Sequence, residues 1–231
     1  MKKEYLIEAV GLGCFMLVAC VTSFVLHENR AASALLLAGT AFALTTSPWG
    51  QRSGAHFNPA VTLTFTRLGK VAPRDAAGYV LAQFAGALLG LGLAFLLAGK
   101  ALRAVDFLSL HPASHPALAF VAEFALAMGM MLTVLTVSNS SFHRHTPGVA
   151  AWLLATYLYC FAPVGLNPAR CFASAFWAGD LRDLWIYLLA PLAGMLAAGW
   201  LYRGPVACAK LHHLNDQPCL FRCAFGRKEL A

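Results

Sequence analysis

The sequence predicts an all-α membrane protein with six transmembrane helices and two re-entrant half-helices in an inverted repeat. Three observations carry that expectation. Of the 231 residues, 59% are hydrophobic and only 12% charged, against roughly 45–50% apolar and 25% charged in soluble domains. The apolar residues gather into six long runs and two short ones, and each short run opens with proline. The order of long and short runs in the first half recurs in the second.

The first long run, residues 5–26, follows the charged start Met1-Lys2-Lys3-Glu4. It is longer than the apolar part of a signal peptide and lacks a small-residue cleavage site, so a retained first helix is expected. A helix needs about 20 apolar residues to span a bilayer, and the runs near 4–26, 33–49, 76–98, 117–138, 147–163 and 183–203 supply six candidates. A charge cluster or Pro/Gly punctuation ends each run. Residues 59–66 and 168–177 are too short to span. Each starts with proline, which fits the first turn of a helix because its missing N–H is not needed there. Short apolar helices of this kind suit re-entrant segments, whose irregular backbone survives at membrane depth only where it lines a water-filled cavity.

Two spans, a half-helix and a third span therefore make one repeat, with Glu8 followed by Asn58 in the first and Glu123 followed by Asn167 in the second. With three spans per repeat, the second repeat enters from the opposite side of the membrane, an arrangement that puts a site near the midplane. The net charge of +7 is spread between apolar segments rather than gathered in one patch, which argues against nucleic acid as a partner. Lys2, Lys3, Arg52, Arg67, Lys70, Arg74, Arg144 and Arg203 fall on the side of the termini, as do four basic residues of the tail. Arg30, Lys100, Arg103 and Arg182 fall on the other side, and Arg170 there or in the pore. The excess predicts that both termini face the cytoplasm. No histidine stands near a serine or cysteine in a recognisable catalytic pattern, so an enzyme is not expected.

The chemistry concentrates in the two Asn-Pro-Ala turns, Asn58-Pro59-Ala60 and Asn167-Pro168-Ala169. Asparagine at a helix cap supplies an amide donor, and the following proline fixes the backbone at the first helical position. Two half-helices meeting N-terminus to N-terminus bring two partial positive charges of about +0.5 to one point, which opposes cations. Glu8 and Glu123 are acids inside apolar helices and need partners or protonation. They are candidates for a proton relay.

The stretch Ser53-Gly54-Ala55-His56-Phe57-Asn58-Pro59-Ala60-Val61-Thr62, together with Gly165-Leu166-Asn167-Pro168-Ala169-Arg170, closely resembles the two signatures of the aquaporin (major intrinsic protein) family, here of bacterial type. The resemblance extends to Glu8, to Ala82-Gln83-Phe84-Ala85-Gly86-Ala87 and to Glu123, so it covers nearly the whole transmembrane region. It implies a transmembrane channel domain over 1–207, with repeats at about 1–100 and 115–204, and a cytoplasmic basic tail over 208–231. It also implies a homotetramer in the lipid bilayer with one pore per subunit. Arg170 is then a donor at the narrow outer filter, His56 lines the inner vestibule, and Glu8 and Glu123 accept hydrogen bonds from the loop backbones. Counting back from Asn58 puts a filter position at Ala38, while Leu158 and Gly165 supply two more. Two large polar or aromatic groups usual in water channels are absent there, yet Cys171 stands where glycerol facilitators carry aspartate.

The resemblance therefore implies a passive, proton-excluding water channel, with a facilitator of glycerol, hydrogen peroxide, urea, ammonia or metalloid hydroxides as the alternative. A proton-coupled transporter using Glu8 or Glu123 is a further one. Phe42, Phe57, Tyr157, Tyr159 and Phe172 are candidates to refill the filter if its helices are rotated. Cys14, Cys20 and Cys160 are expected to be small packing residues. Cys171 either faces the outer pore, where mercurials would reach it, or packs behind the half-helix. No cofactor is required, but the tail holds Cys208 with His212 and Cys219 with Cys223, two i,i+4 pairs. They are either zinc ligands or part of an amphipathic tail on the inner leaflet.

Overall fold

The computed structural model describes residues 3–99, 110, 115–161 and 164–206. Cys208, His212, Cys219 and Cys223 lie outside the described residues. Among those described there are nine α-helices, one 3-10 turn at His143–His145 and no strand. In chain order the helices are α1 (Lys3–Val25), α2 (Arg30–Thr46), α3 (Pro48–Ser53), α4 (Pro59–Arg67) and α5 (Pro73–Ala98). The second half follows with α6 (Pro116–Ser138), α7 (Thr146–Phe161), α8 (Pro168–Ala178) and α9 (Leu184–Leu201).

Proline sets many of the boundaries. Pro59, Pro73, Pro116 and Pro168 open α4, α5, α6 and α8 in their first turns, where a residue without an N–H loses nothing. The half-helices stop alike. Gly69 and Gly179 adopt left-handed φ values of 73° and 75°, and the next N–H in each case, Lys70 or Asp180, bonds back to Phe65 or Ala175 at 2.9 and 3.1 Å. This glycine-dependent closure satisfies the orphan carbonyls of the last turn.

Helices α1, α5, α6 and α9 are long and apolar enough to cross a bilayer, whereas α2 has 17 residues and α7 has 16. The second helix also sits three residues earlier than the hydrophobic run suggested. Asn29 caps it, its Oδ1 accepting from Ala32 N at 3.0 Å, so the helix begins before the apolar stretch does. It ends at Thr46 because Ser47, before Pro48, is held at φ −60° and ψ 150°, the extended region that a following proline favours. Pro48 then opens α3, a short helix that hydrophobic periodicity did not anticipate.

The two halves pack equivalently. Helix α1 lies along α5, α6 lies along α9, and the two shorter spanning helices α2 and α7 face one another. Glycines permit the close approaches: a Cβ on Gly86 would overlap the Ala9 carbonyl oxygen, one on Gly90 that of Gly13, and one on Gly194 that of Phe124. Gly92 meets the Trp177 ring rather than a neighbouring backbone. Replacing Gly86 by alanine gains about 1 kcal/mol of helix propensity but forces α1 and α5 apart. The expected outcome for Gly86→Ala is a net loss of stability, since overpacking costs about 1–3 kcal/mol and a backbone obstacle falls at the upper end. Thermal unfolding of the detergent-solubilised protein measures it.

Candidate functional site

The two re-entrant loops meet through their asparagines. Asn58 caps α4, its Oδ1 accepting from Ala60 N at 2.9 Å, and Asn167 caps α8, accepting from Ala169 N and Arg170 N at 3.1 and 3.3 Å. The amide nitrogens reach across the repeat interface. Asn58 Nδ2 donates to Leu166 O at 2.9 Å, and Asn167 Nδ2 donates to Phe57 O at 2.8 Å. Each asparagine is thus tied to the residue preceding the other one.

Those preceding residues carry backbone strain. Phe57 has φ 43° and Leu166 φ 55°, and Ala55 nearby has φ 52°. Left-handed non-glycine residues cost about 1–3 kcal/mol each unless the surroundings hold them. Here a carboxylate does so in each repeat. Glu8 Oε2 accepts from Phe57 N at 2.6 Å and its Oε1 from His56 N at 3.1 Å. Glu123 accepts from Gly165 N at 2.6 Å and Leu166 N at 3.0 Å. Phe57 and Leu166 therefore play the same part: N–H to the glutamate of their own repeat, C=O to the asparagine of the other.

The first loop has further anchors that sequence reasoning did not single out. Glu8 also accepts from Ser53 Oγ at 2.7 Å and Gln83 Nε2 at 2.8 Å. Gln83 donates to Thr62 Oγ1 at 3.0 Å as well, and Tyr79 OH donates to Ser53 O at 2.6 Å. A signal for Gln83 was present, since it is a lone polar residue in an apolar span, the same criterion that picked Glu8 and Glu123. Ser53 and Thr62 fall inside the signature stretch without a role of their own, and Tyr79 gave no signal, because hydroxyl residues are common in such helices.

Beside the junction lies a cavity of about 190 Å3. His56, Asn58, Leu158, Gly165, Asn167 and Arg170 all line it. Ala38 does not; it is buried away from the cavity, which Leu37 and Ala41 line instead. The reason is helical phase. Leu37, Ala41, Leu44 and Thr45 fall on one stripe of α2, and Ala38 stands about 100° around from Leu37. Of the five aromatic candidates only Phe57 lines the cavity; Phe42 and Tyr159 are exposed on the outer surface. Leu12, Phe15, Val134 and Leu154 make most of the opposite wall apolar.

Arg170 is buried, with Nη1 donating to Val164 O at 3.3 Å. Gly165 is tightly packed from behind: an added Cβ would lie 2.7 Å from both Cys171 Sγ and Tyr187 Cδ1. His56 is buried, with Nδ1 3.1 Å from Thr62 Oγ1 and its ring stacked on Phe65 at 5.3 Å.

Cys171 packs behind α8 with Ala175, Ile186 and Tyr187 and is fully buried. Of the other membrane cysteines, Cys20 is buried, whereas Cys14 and Cys160 lie on the outer surface and are not interior packing residues. Mercurials are therefore expected not to act through Cys171. Cys171→Ser should leave the mercurial response of the reconstituted protein unchanged, as read by stopped-flow light scattering.

A bundle of apolar helices whose two half-helices are tied together beside an internal cavity has the architecture of a multi-pass membrane channel. The comparisons specify the family: its model, described as the major intrinsic protein, matches residues 1–202, and the chain belongs to that family of channels, which are transporters rather than enzymes. A glycerol uptake facilitator protein-like 6 from Lactiplantibacillus plantarum is 32% identical over 219 residues, covering 87% of this chain and 97% of the relative. The lens fiber major intrinsic protein of Gallus gallus is 36% identical over 172 residues, 71% of this chain and 65% of the relative. In fold, the chain is similar to the aquaglyceroporin from Plasmodium falciparum, with a TM-score of 0.77 and 21% identity over 87% of this chain and 94% of the other.

Proposed function

We propose that the chain is a passive, proton-excluding channel for water that also passes small uncharged solutes. The observation that carries this is the reciprocal tie between Asn58 and Asn167. A carboxamide nitrogen has two hydrogens. One from each asparagine is spent on the opposite loop, which leaves the other for the oxygen of a permeating molecule. A water held this way turns its own hydrogens outward, so a proton wire breaks at that point. The N-termini of α4 and α8 add partial positive charge there, and Arg170 adds a full one, so cations are opposed along the same path.

The wall formed by Leu37, Leu158 and Gly165 beside Arg170 lacks bulky polar groups, which favours passage of solutes larger than water. A relative named for glycerol uptake supports the second reading, a glycerol or small neutral solute facilitator. The carboxylates support a passive channel over a proton-coupled transporter, since Glu8 accepts four hydrogen bonds and Glu123 two in holding the loops. Both termini in the cytoplasm, the inner membrane and a homotetramer complete the reading, from the distribution of Lys and Arg and the family resemblance. Zinc in the tail at Cys208, His212, Cys219 and Cys223 is tested by elemental analysis of purified protein.

Osmotic experiments on proteoliposomes separate the solutes. Shrinkage in an impermeant osmolyte faster than in empty liposomes is expected for water, and re-swelling in glycerol identifies the facilitator. Absence of both responses would overturn the proposal, and so would flux that requires a proton gradient.

A further inference from the structure

One end of the bundle carries a basic patch that channel function leaves unexplained. Arg67 closes α4, Lys70 lies in the turn after it, Arg74 sits in the first turn of α5, and Arg203 follows α9. Arg67, Arg74 and Arg203 are exposed and Lys70 is half-buried. Helix α4 packs on both α5 and α9, and Leu68, Val71, Tyr202 and Val206, sequence neighbours of these cations, join one apolar cluster, which brings the four cations to the same end of the bundle. None of them has an ion pair among the described residues. The nearest acid in the sequence, Asp75, accepts from Tyr5 OH at 2.9 Å, and Glu4 at the same end is paired with Arg52 at 2.9 Å.

Just before Arg203 in the chain the surface changes character. Trp200 and Leu201, in the last turn of α9, are 61% and 45% exposed, and the Arg203 guanidinium lies 5.9 Å over the Trp200 ring. Tryptophan of this kind belongs at the boundary between headgroups and acyl chains. A cation stacked on such a ring, with exposed apolar surface beside it and three more cations at the same end of the bundle, matches a molecule that has a phosphate at one end and hydrocarbon at the other.

We propose that Arg67, Lys70, Arg74 and Arg203, with Trp200 beside Arg203, form a binding site for an anionic phospholipid. The headgroup phosphate takes the guanidinium and ammonium donors, and an acyl chain lies against Trp200 and Leu201. The site is independent of which solute the channel carries.

Fluorescence quenching tests it on the full-length protein in mixed bilayers. Phosphatidylglycerol or phosphatidylcholine with brominated acyl chains serves as the quencher, and subtraction of a Trp200→Phe variant isolates the signal of this tryptophan. The expected result is a severalfold preference of the Trp200 site for brominated phosphatidylglycerol at 50 mM salt, weakening at 0.5 M. Arg203→Gln should lower that preference about fivefold, the equivalent of about 1 kcal/mol for one basic residue at a membrane surface. Arg203→Lys should retain most of it, and Arg182→Gln at the opposite end should leave it unchanged. Equal quenching by the two lipids in the parent protein would overturn the proposal. So would an unaltered preference in folded, monodisperse Arg203→Gln and Arg74→Gln variants.

Discussion

Glu8→Leu is expected to abolish assembly of the channel. The carboxylate accepts from Ser53 Oγ, His56 N, Phe57 N and Gln83 Nε2, and leucine offers none of these donors a partner. A buried donor left unmade costs about 1–3 kcal/mol; Ser53 Oγ can turn to the Gly50 carbonyl 3.3 Å away, so the other three reach about 3–9 kcal/mol, comparable with the whole margin of about 5–15 kcal/mol by which proteins stay folded. The left-handed backbone at Ala55 and Phe57 loses its restraint at the same time. Glu123→Leu frees only two N–H groups, Gly165 and Leu166, and should be damaged less, by about 2–6 kcal/mol on the same scale. Glu8→Gln keeps the shape and one acceptor but turns an NH2 toward donors, so it should fall between the parent and Glu8→Leu. Recovery of monodisperse protein and its thermal midpoint give the ranking. A Glu8→Leu variant as stable as the parent would show that the carboxylate does not hold the first loop.

This asymmetry between the two glutamates was not legible in the sequence, although the duplication was. Glu8 and Glu123 stand out because an acid inside an apolar helix must be accounted for, and the Asn-Pro-Ala turns stand out because cap and proline act over adjacent residues. Such signals are local. The additional donors to Glu8 come from Ser53 and Gln83, 45 and 75 positions away, and depend on how α3 and α5 pack against α1. The cavity wall shows the same limit differently. Sequence spacing pointed to Ala38, but the Asn29 cap and the Ser47-Pro48 stop fix where α2 starts and ends, and that phase turns Leu37 to the cavity. One residue on a helix is about 100° of rotation, so a count that is nearly right still selects another face. On α7, Leu158 does line the cavity, so the expectation there falls on the right face.

Arg170→Val is expected to raise cation leakage by about two orders of magnitude while sparing water flow. Arg170 lines the cavity in the first turn of α8, with its Nη1 on the Val164 carbonyl. A monovalent cation passing at roughly 5 Å with an effective dielectric near 20 meets a repulsion of about 3 kcal/mol from one full charge, and each 1.4 kcal/mol is a factor of ten. Valine removes that charge and widens the wall already opened by Gly165 and Leu158. The leak should nonetheless stay far below that of an open cation pore, because the partial charges at the N-termini of α4 and α8 and the asparagine donors remain in place. Arg170→Lys makes the comparison sharper: it keeps the charge but replaces a planar fork by a flexible point donor, so cations should still be excluded while solute preference shifts. Proton flux followed with an entrapped pH dye, alongside osmotic water flow in the same vesicles, measures both quantities. Unchanged proton flux in Arg170→Val would assign the whole barrier to the opposed half-helices, and a leak shared by Arg170→Lys would mean that geometry rather than charge is what Arg170 contributes.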